Sequence, residues 1–342
     1  MWIYVFRRLI YTVPILLGVL LITFLIFFSV TEPETLARMR IGEKAPVSQV
    51  YKWMIENDYA EYNESGLKKL KLLREGKAEA NTAINKQDID EHSKAHLFLI
   101  YVGDLVSFEF GKTNEKRKVS DVLASGIGPS LKLMIPAFIL SEFLAVFFSL
   151  FAALYRNTKI DRSIVVGSVI LMSISPVAMI LFAQKLFAAD WNYFPISGYA
   201  SGIPGYAYLI LPMLIYVASR MGQNTRFNRI LMLDEVGQDY VRTAASKGVG
   251  QNRILFLHVL RNALIPLITR WSYTIPFLFL GSLLLEAFFG IPGLGGITIK
   301  AALNTDINLI RALVFIGTLL YIGGTLLADI LYAVVDPRVR LS

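Results

Sequence analysis

Leu9–Val30 reads LIYTVPILLGVLLITFLIFFSV, 22 residues without a charge. A helix of that length, rising 1.5 Å per residue, crosses a hydrocarbon core of about 30 Å. Arg7 and Arg8 stand just before it. A secretory leader also starts basic, but its apolar region spans roughly 7 to 15 residues and closes on small residues. The bulky Phe27-Phe28-Ser29-Val30 end therefore reads as a retained anchor.

Composition extends this reading outward. The chain has 342 residues, 55% hydrophobic and 18% charged, against about a quarter charged in a typical soluble domain. Residues 31–128 carry 15 Lys+Arg and 16 Asp+Glu, while the other 244 residues carry only 19 and 10. Most of the chain thus lives in an apolar solvent. With no cysteine, a disulfide framework and a thiolate metal site are excluded. The net charge of +8 is scattered in short clusters between apolar runs, a membrane-loop pattern and not a nucleic-acid surface.

Further spans are predicted at about residues 130–154, 164–187, 205–220, 264–289 and 310–334, giving six transmembrane helices and an all-α membrane fold. Six spans put both termini on one side. That side collects Arg7, Arg8, Arg156, Lys159, Arg162, Arg220, Arg226, Arg229, Arg242, Lys247, Arg253, Arg261, Arg338 and Arg340, so the positive-inside bias makes it cytoplasmic. The expected organisation is an N-terminal span (1–30), an extracytoplasmic helical cap (31–128) and a five-helix core (129–342) with a cytoplasmic loop at about 221–263. In the cap, Ser65–Ala80 favours helix and Ala95–Val106 is apolar. His92 and His96 sit at i and i+4 there, a spacing that can hold a metal on a helix, but no third ligand is evident and no metal site is assigned.

The most informative stretch is Asp239–Arg253, DYVRTAASKGVGQNR. Asp239 suits a helix start, Lys247 its last turn, and Gly248 the left-handed position beyond it. A helix of about nine residues is marginal in water alone, so something outside it should hold it. Small Ala244, Ala245 and Ser246 let another surface approach, with Tyr240 as an anchor and Arg242 and Lys247 at the rim. On these residues alone, a docking helix and a plain solvated hairpin stand level.

The pattern Tyr240-Val241-Arg242-Thr243-Ala244, then Lys247-Gly248, Arg253, His258, Arg261-Asn262-Ala263-Leu264 and Pro266, resembles the coupling loop of inner-membrane permease subunits of binding-protein-dependent ABC importers, in the dipeptide, oligopeptide and nickel branch. The general Glu-Ala-Ala signature of such permeases has Arg242-Thr243-Ala244 in its place, with Gly248 as its glycine. Arg7-Arg8-Leu9, Gly103-Asp104-Leu105 with Phe110-Gly111, Leu285–Gly295, Ala328–Tyr332 and Asp336–Arg340 are similar to further family motifs in the right order. Residues 31 to about 100 show no close counterpart, and the outer segment reads as longer than usual.

The resemblance implies a type I ABC importer fold in a bacterial inner membrane and a pathway for short peptides. It implies a second homologous permease as heterodimer partner, one or two cytoplasmic ATPases and an extracytoplasmic solute-binding protein. ATP and Mg²⁺ would be used by the ATPases. This chain would bind no cofactor and catalyse nothing: Gly111-Lys112-Thr113 ends like a phosphate-binding loop, but Val106 occupies the first glycine position. Tyr240, Arg242, Thr243, Ala244, Ala245, Lys247 and Gly248 would couple to the ATPase, and Asn262 and Pro266 would shape the loop, Pro266 marking the turn into span five.

Glu142, Glu286 and Asp329 lie within apolar runs, where a carboxylate at the bilayer centre costs about 2.5–3.5 kcal/mol. They either line the pathway or make hydrogen bonds between spans. The motifs around Glu286 and Asp329 favour the second role; Glu142 stays open. Lys132, Lys185 and Arg270 are expected to snorkel. Gly290–Gly296 reads as an outer gate or, more simply, a turn. Two other functions compete: an ion-coupled secondary transporter, in keeping with 3+3 spans, and an intramembrane enzyme, which lacks a matched catalytic pair.

Overall fold

The computed structural model describes residues 2–29, 33–42, 44–56, 59–74, 85–200 and 202–335. The apolar runs form helices. α1 covers Trp2–Ser29, α6 Val119–Leu154, α9 Tyr206–Val236, α12 Leu260–Leu280 and α15 Ile307–Val335. Between them lie α2 (Pro33–Ile41), α3 (Val47–Glu56), α4 (Glu64–Arg74), α5 (Lys94–Val106), α7 (Lys159–Ser173), α8 (Pro176–Ala183), α10 (Asp239–Ser246), α11 (Gln251–Ile254), α13 (Leu283–Phe289) and α14 (Leu294–Leu303). Among the described residues, three helical stretches are long and apolar enough to cross a membrane, Val119–Leu154, Gln251–Phe289 and Ile307–Leu327; a bent pair, Lys159–Ser173 with Pro176–Asp190, makes a fourth. Ile10–Ile26 is a shorter apolar stretch of α1.

The predicted span at 164–187 is not one straight helix: α7 and α8 meet at 90°. Pro176 is the first residue of α8, so its missing amide costs nothing there, and it drives Ser175 out of the α region; Ser175 has φ −59° and ψ 136°. A π-helical turn, Gln184–Asp190, prolongs α8. Pro266 is also placed differently from the expectation. It lies inside α12, because α11, a π-helical turn at Leu255–Val259 and α12 run on without a break.

The chain divides into two units. The first comprises residues 1–10, 121–305 and 316–342. One of its apolar cores joins Leu133 and Ala137 of α6, Ile180 of α8, Leu209 and Ile215 of α9, Leu278 of α12 and Phe289 of α13. α7 and α9 pack closely at Gly222, where an added Cβ would stand 2.5 Å from the Ser168 carbonyl. Asp161 and Arg229 tie the same helices through bonds of 2.7 and 2.8 Å. At Gly324 of α15 an added Cβ would collide with Pro276 of α12.

The second unit comprises residues 11–120 and 306–315. The part of the expected cap that lies in this unit, 31–120, is not purely helical. Strands β1 (Ala60–Tyr62) and β2 (Ile89–Glu91) pair antiparallel, with Ala60 opposite Glu91, and pack with Val50, Tyr51 and Met54 of α3. Buried Asp88, in a 3₁₀ turn before β2, is pushed up by burial but brought below its ordinary value by Lys69, Ser65 and the Asn85 amide. The predicted helix at 65–80 appears as α4; residues 75–84 lie outside the described ones. The Phe110-Gly111 segment meets the start of α15: the Asn114 amide donates to Asp306 at 2.7 Å and Asn308 Nδ2 to the Lys112 carbonyl at 3.0 Å.

Candidate coupling site

The loop after α9 matches its local sequence logic. Gln238 caps α10, Asp239 is its first residue, Lys247 its C-cap, and Gly248 follows at φ +80°, a conformation glycine adopts without strain. The Gly248 and Val249 amides donate to the Ala245 and Ala244 carbonyls at 3.0 and 3.2 Å, closing the C-terminus.

Helix α10 has two distinct faces. Val241 is buried, and Tyr240 and Ala244 are half-buried against a core of Leu150 and Ala153 (α6), Met232 (α9), Ile254 (α11) and Ala263 and Leu267 (α12). The Tyr240 hydroxyl donates to Glu235 at 2.5 Å. Burial first, and then the Glu235 carboxylate, push this phenol up to about 12, with the Asn262 side chain opposing. Tyr240 and Asn262 thus meet across the loop, and the loop's own chain supplies the outside support a short helix requires. Arg242, Thr243, Ala245, Ser246, Lys247 and Gly248 are exposed.

The carboxylates inside the helices have definite surroundings. Glu286 is fully buried. It accepts from Ser130 Oγ at 2.8 Å, the Ser282 amide at 3.2 Å and the Gly296 amide at 2.9 Å, while Ser130 accepts from the Leu294 amide at 2.8 Å. It therefore serves the first turns of α13 and α14, whose amides have no partner within their own helix. The Gly290–Gly296 stretch around it is a turn: Gly290 ends α13 in the left-handed region at φ +66°, and Gly293 caps α14. Asp329 belongs to α15, but its side chain lies outside the described residues, as do Asp336–Arg340.

Glu142 of α6 is buried in a polar cluster. Asn224 Nδ2 donates to its Oε1 at 2.6 Å and Trp271 Nε1 to its Oε2 at 2.7 Å. Arg270 donates to Asn224 Oδ1 and, at 3.4 Å, to Asn228 Oδ1; its guanidinium also covers the Phe227 ring at 4.6 Å. Arg270 is hence engaged between helices and does not snorkel, because these partners offer its charge what a membrane interface would. The sequence did not single out Asn224, Asn228 or Trp271. The available signal was Asn224 and Asn228 one turn apart on a helix otherwise rich in apolar residues. His92 and His96 stack with ring centroids 4.6 Å apart, and no cluster of three metal-binding side chains occurs among the described residues.

Residues 145–341 match the family of binding-protein-dependent transport system inner membrane components. Relatives include oligopeptide transport system permease protein AppB of Bacillus subtilis, 30% identical over 98% of this chain and 99% of that protein. Oligopeptide permease OppB of Haemophilus influenzae is 32% identical over 71% of this chain and 79% of its own length. Glutathione permease GsiC of Shigella flexneri is 31% identical over 72% and 79%. The AppB match also covers residues 31 to about 100, which thus have a counterpart after all. With α10 and its flanking helices inside the matched region, the chain belongs to the family of membrane permease components of binding-protein-dependent importers.

Proposed function

We propose that this chain is a pathway-forming permease subunit of an ATP-driven importer of short peptides and that it works in the inner membrane as a six-span protein with both termini cytoplasmic. A second homologous permease completes the pathway, a solute-binding protein delivers the peptide from outside, and one or two cytoplasmic ATPases hydrolyse ATP with Mg²⁺. This chain performs no hydrolysis. The observation that carries the reading is α10, seated on α6, α9, α11 and α12 by Tyr240, Val241 and Ala244, with Arg242, Thr243, Ala245, Ser246 and Lys247 left outward. A handle built this way transmits movement of a bound ATPase into the helices at both its ends. The peptide cargo is supported by the names of the relatives at 30% identity or more. Family membership speaks against the ion-coupled and enzymatic alternatives.

The test is reconstitution of the full complex in proteoliposomes, with uptake of a labelled short peptide measured with and without ATP. ATP-dependent uptake that disappears when Ala245 is replaced by Trp, while the permease pair stays assembled, is the expected result. Uptake driven by an ion gradient without ATP would overturn the proposal.

A further inference from the structure

The polar cluster around Glu142 is built as a ladder with one rung empty. Asn224 and Asn228 lie one turn apart on α9, about 6 Å along its axis, and Arg270 of α12 grips the side-chain oxygens of both. The Asn224 amide nitrogen is taken by Glu142 at 2.6 Å. The Asn228 amide nitrogen is fully buried and has no partner among the described residues, which is unusual enough for a native interior to need an explanation. Along the same face of α6, three and seven residues beyond Glu142, the buried positions are the small Ala145 and Ser149. They set no bulky knob against sliding.

We propose that Glu142 is the moving contact of a two-position ratchet: in this state it occupies the Asn224 rung, and in the ATP-driven state α6 slides one turn along α9 so that Glu142 takes the Asn228 amide. The inference rests on the transporter reading above and names the element that carries movement from α10 deeper into the bundle. Arg270 binds both rungs from α12, so α9 and α12, the helices on either side of the α10–α11 loop, travel as one body. The shift exchanges one buried amide for another, and such discrete one-turn steps between packed elements are a known form of switching. Trp271 breaks the symmetry. Its indole donates to Glu142 Oε2 at 2.7 Å here, a bond the shift would break, so the first rung is preferred at rest and the second requires the motor.

The absence of cysteine permits a direct test. Spin labels are placed through Phe143→Cys on α6 and Ile230→Cys on α9, both exposed, in the complete complex with cysteine-free partners, and the distance between them is read without nucleotide and after trapping with ATP and vanadate. The expected result is a shorter distance on trapping, by at most about 6 Å, the length of one helical turn. Asn228→Leu, which removes the second rung at nearly constant volume, should keep the resting distance and abolish the change. Trp271→Phe should populate the second distance without nucleotide. The resting distance itself reports folding, and Asn228→Ala repeats the test should the leucine perturb packing. An unchanged distance in a complex that imports peptide, or Asn228 variants that respond like the parent, would overturn the ratchet and leave the transporter reading intact. A parent complex that takes up no peptide with ATP would overturn the transporter reading itself.

Discussion

Tyr240 and Glu286 show how much one side chain carries when its partners are buried. The Tyr240 phenol, raised to about 12, has a folded-state value above its unfolded one, so its contribution to stability is complete below pH 10. As the pH rises further the unfolded chain ionises first, and the fold loses about 1.36 kcal/mol per unit until 12 is reached. Tyr240→Phe should cost about 1 kcal/mol at neutral pH and remove that part of the alkaline slope. Thermal unfolding of purified protein between pH 7 and 12, compared with the parent, checks both. Glu286 fills the space of two missing side chains: a Cβ on Gly293 would lie 2.3 Å from its Oε2, and one on Gly281 would meet Oε1 at 2.0 Å in a backbone already at φ +72°. Gly293→Ala should therefore destabilise by about 1–3 kcal/mol. Glu286→Ala, which strands the Ser130 hydroxyl and two amides, should cost about 3 kcal/mol or more. Gly18→Ala, inside α1 with nothing within 4 Å of the new carbon, should instead stabilise by up to about 1 kcal/mol in the same melting experiment.

At the scale of elements, α10 was legible because every part of its description is local: an acid at the start, small residues, and a glycine in the left-handed region at the end. Its orientation was not, since the core that receives Val241 is assembled from α6, α9, α11 and α12. The Glu142 cluster was hidden for the same reason; its bonds join residues 82 and 129 positions apart. Pro176 was visible in the sequence, yet a proline announces a break without its angle, and packing sets the 90° turn. The strand pair needs only three residues each and leaves no periodic trace. Two substitutions separate the faces of α10. Arg242→Glu, on the outward face, should leave stability within about 0.5 kcal/mol of the parent and sharply reduce ATPase retention on affinity purification. Val241→Ala, on the inward face, should lower stability by about 1 kcal/mol before it weakens that retention. Equal effects on both readouts would mean that α10 does not work as a two-faced handle.

For the whole molecule, the decisive question is which loops share a side. A helix can be identified as a span only when its ends emerge into different solvents, and α1, α9 and the bent α7–α8 pair differ from α6, α12 and α15 in length, charge or straightness. Charge supplies an independent criterion, because Lys and Arg near the ends of short loops hold those loops in the cytoplasm. That criterion places Asn157 and Ser246 inside, and Glu109 and Asn304 outside, under six spans. All four are exposed, and a chain without cysteine accepts a single probe at each position. Asn157→Cys and Ser246→Cys should react with a membrane-impermeant maleimide only after the cells are opened, whereas Glu109→Cys and Asn304→Cys should react in cells whose inner membrane is intact. If position 157 reacted with 109 and 304, α6 would begin and end on the outer face, and the α7–α8 bend and α9 together would make a single crossing, leaving four spans with both termini still on one side. Position 246 bears the functional weight, since a loop that meets an ATP-hydrolysing partner must lie where ATP is; labelling it from outside would remove α10 from the motor altogether.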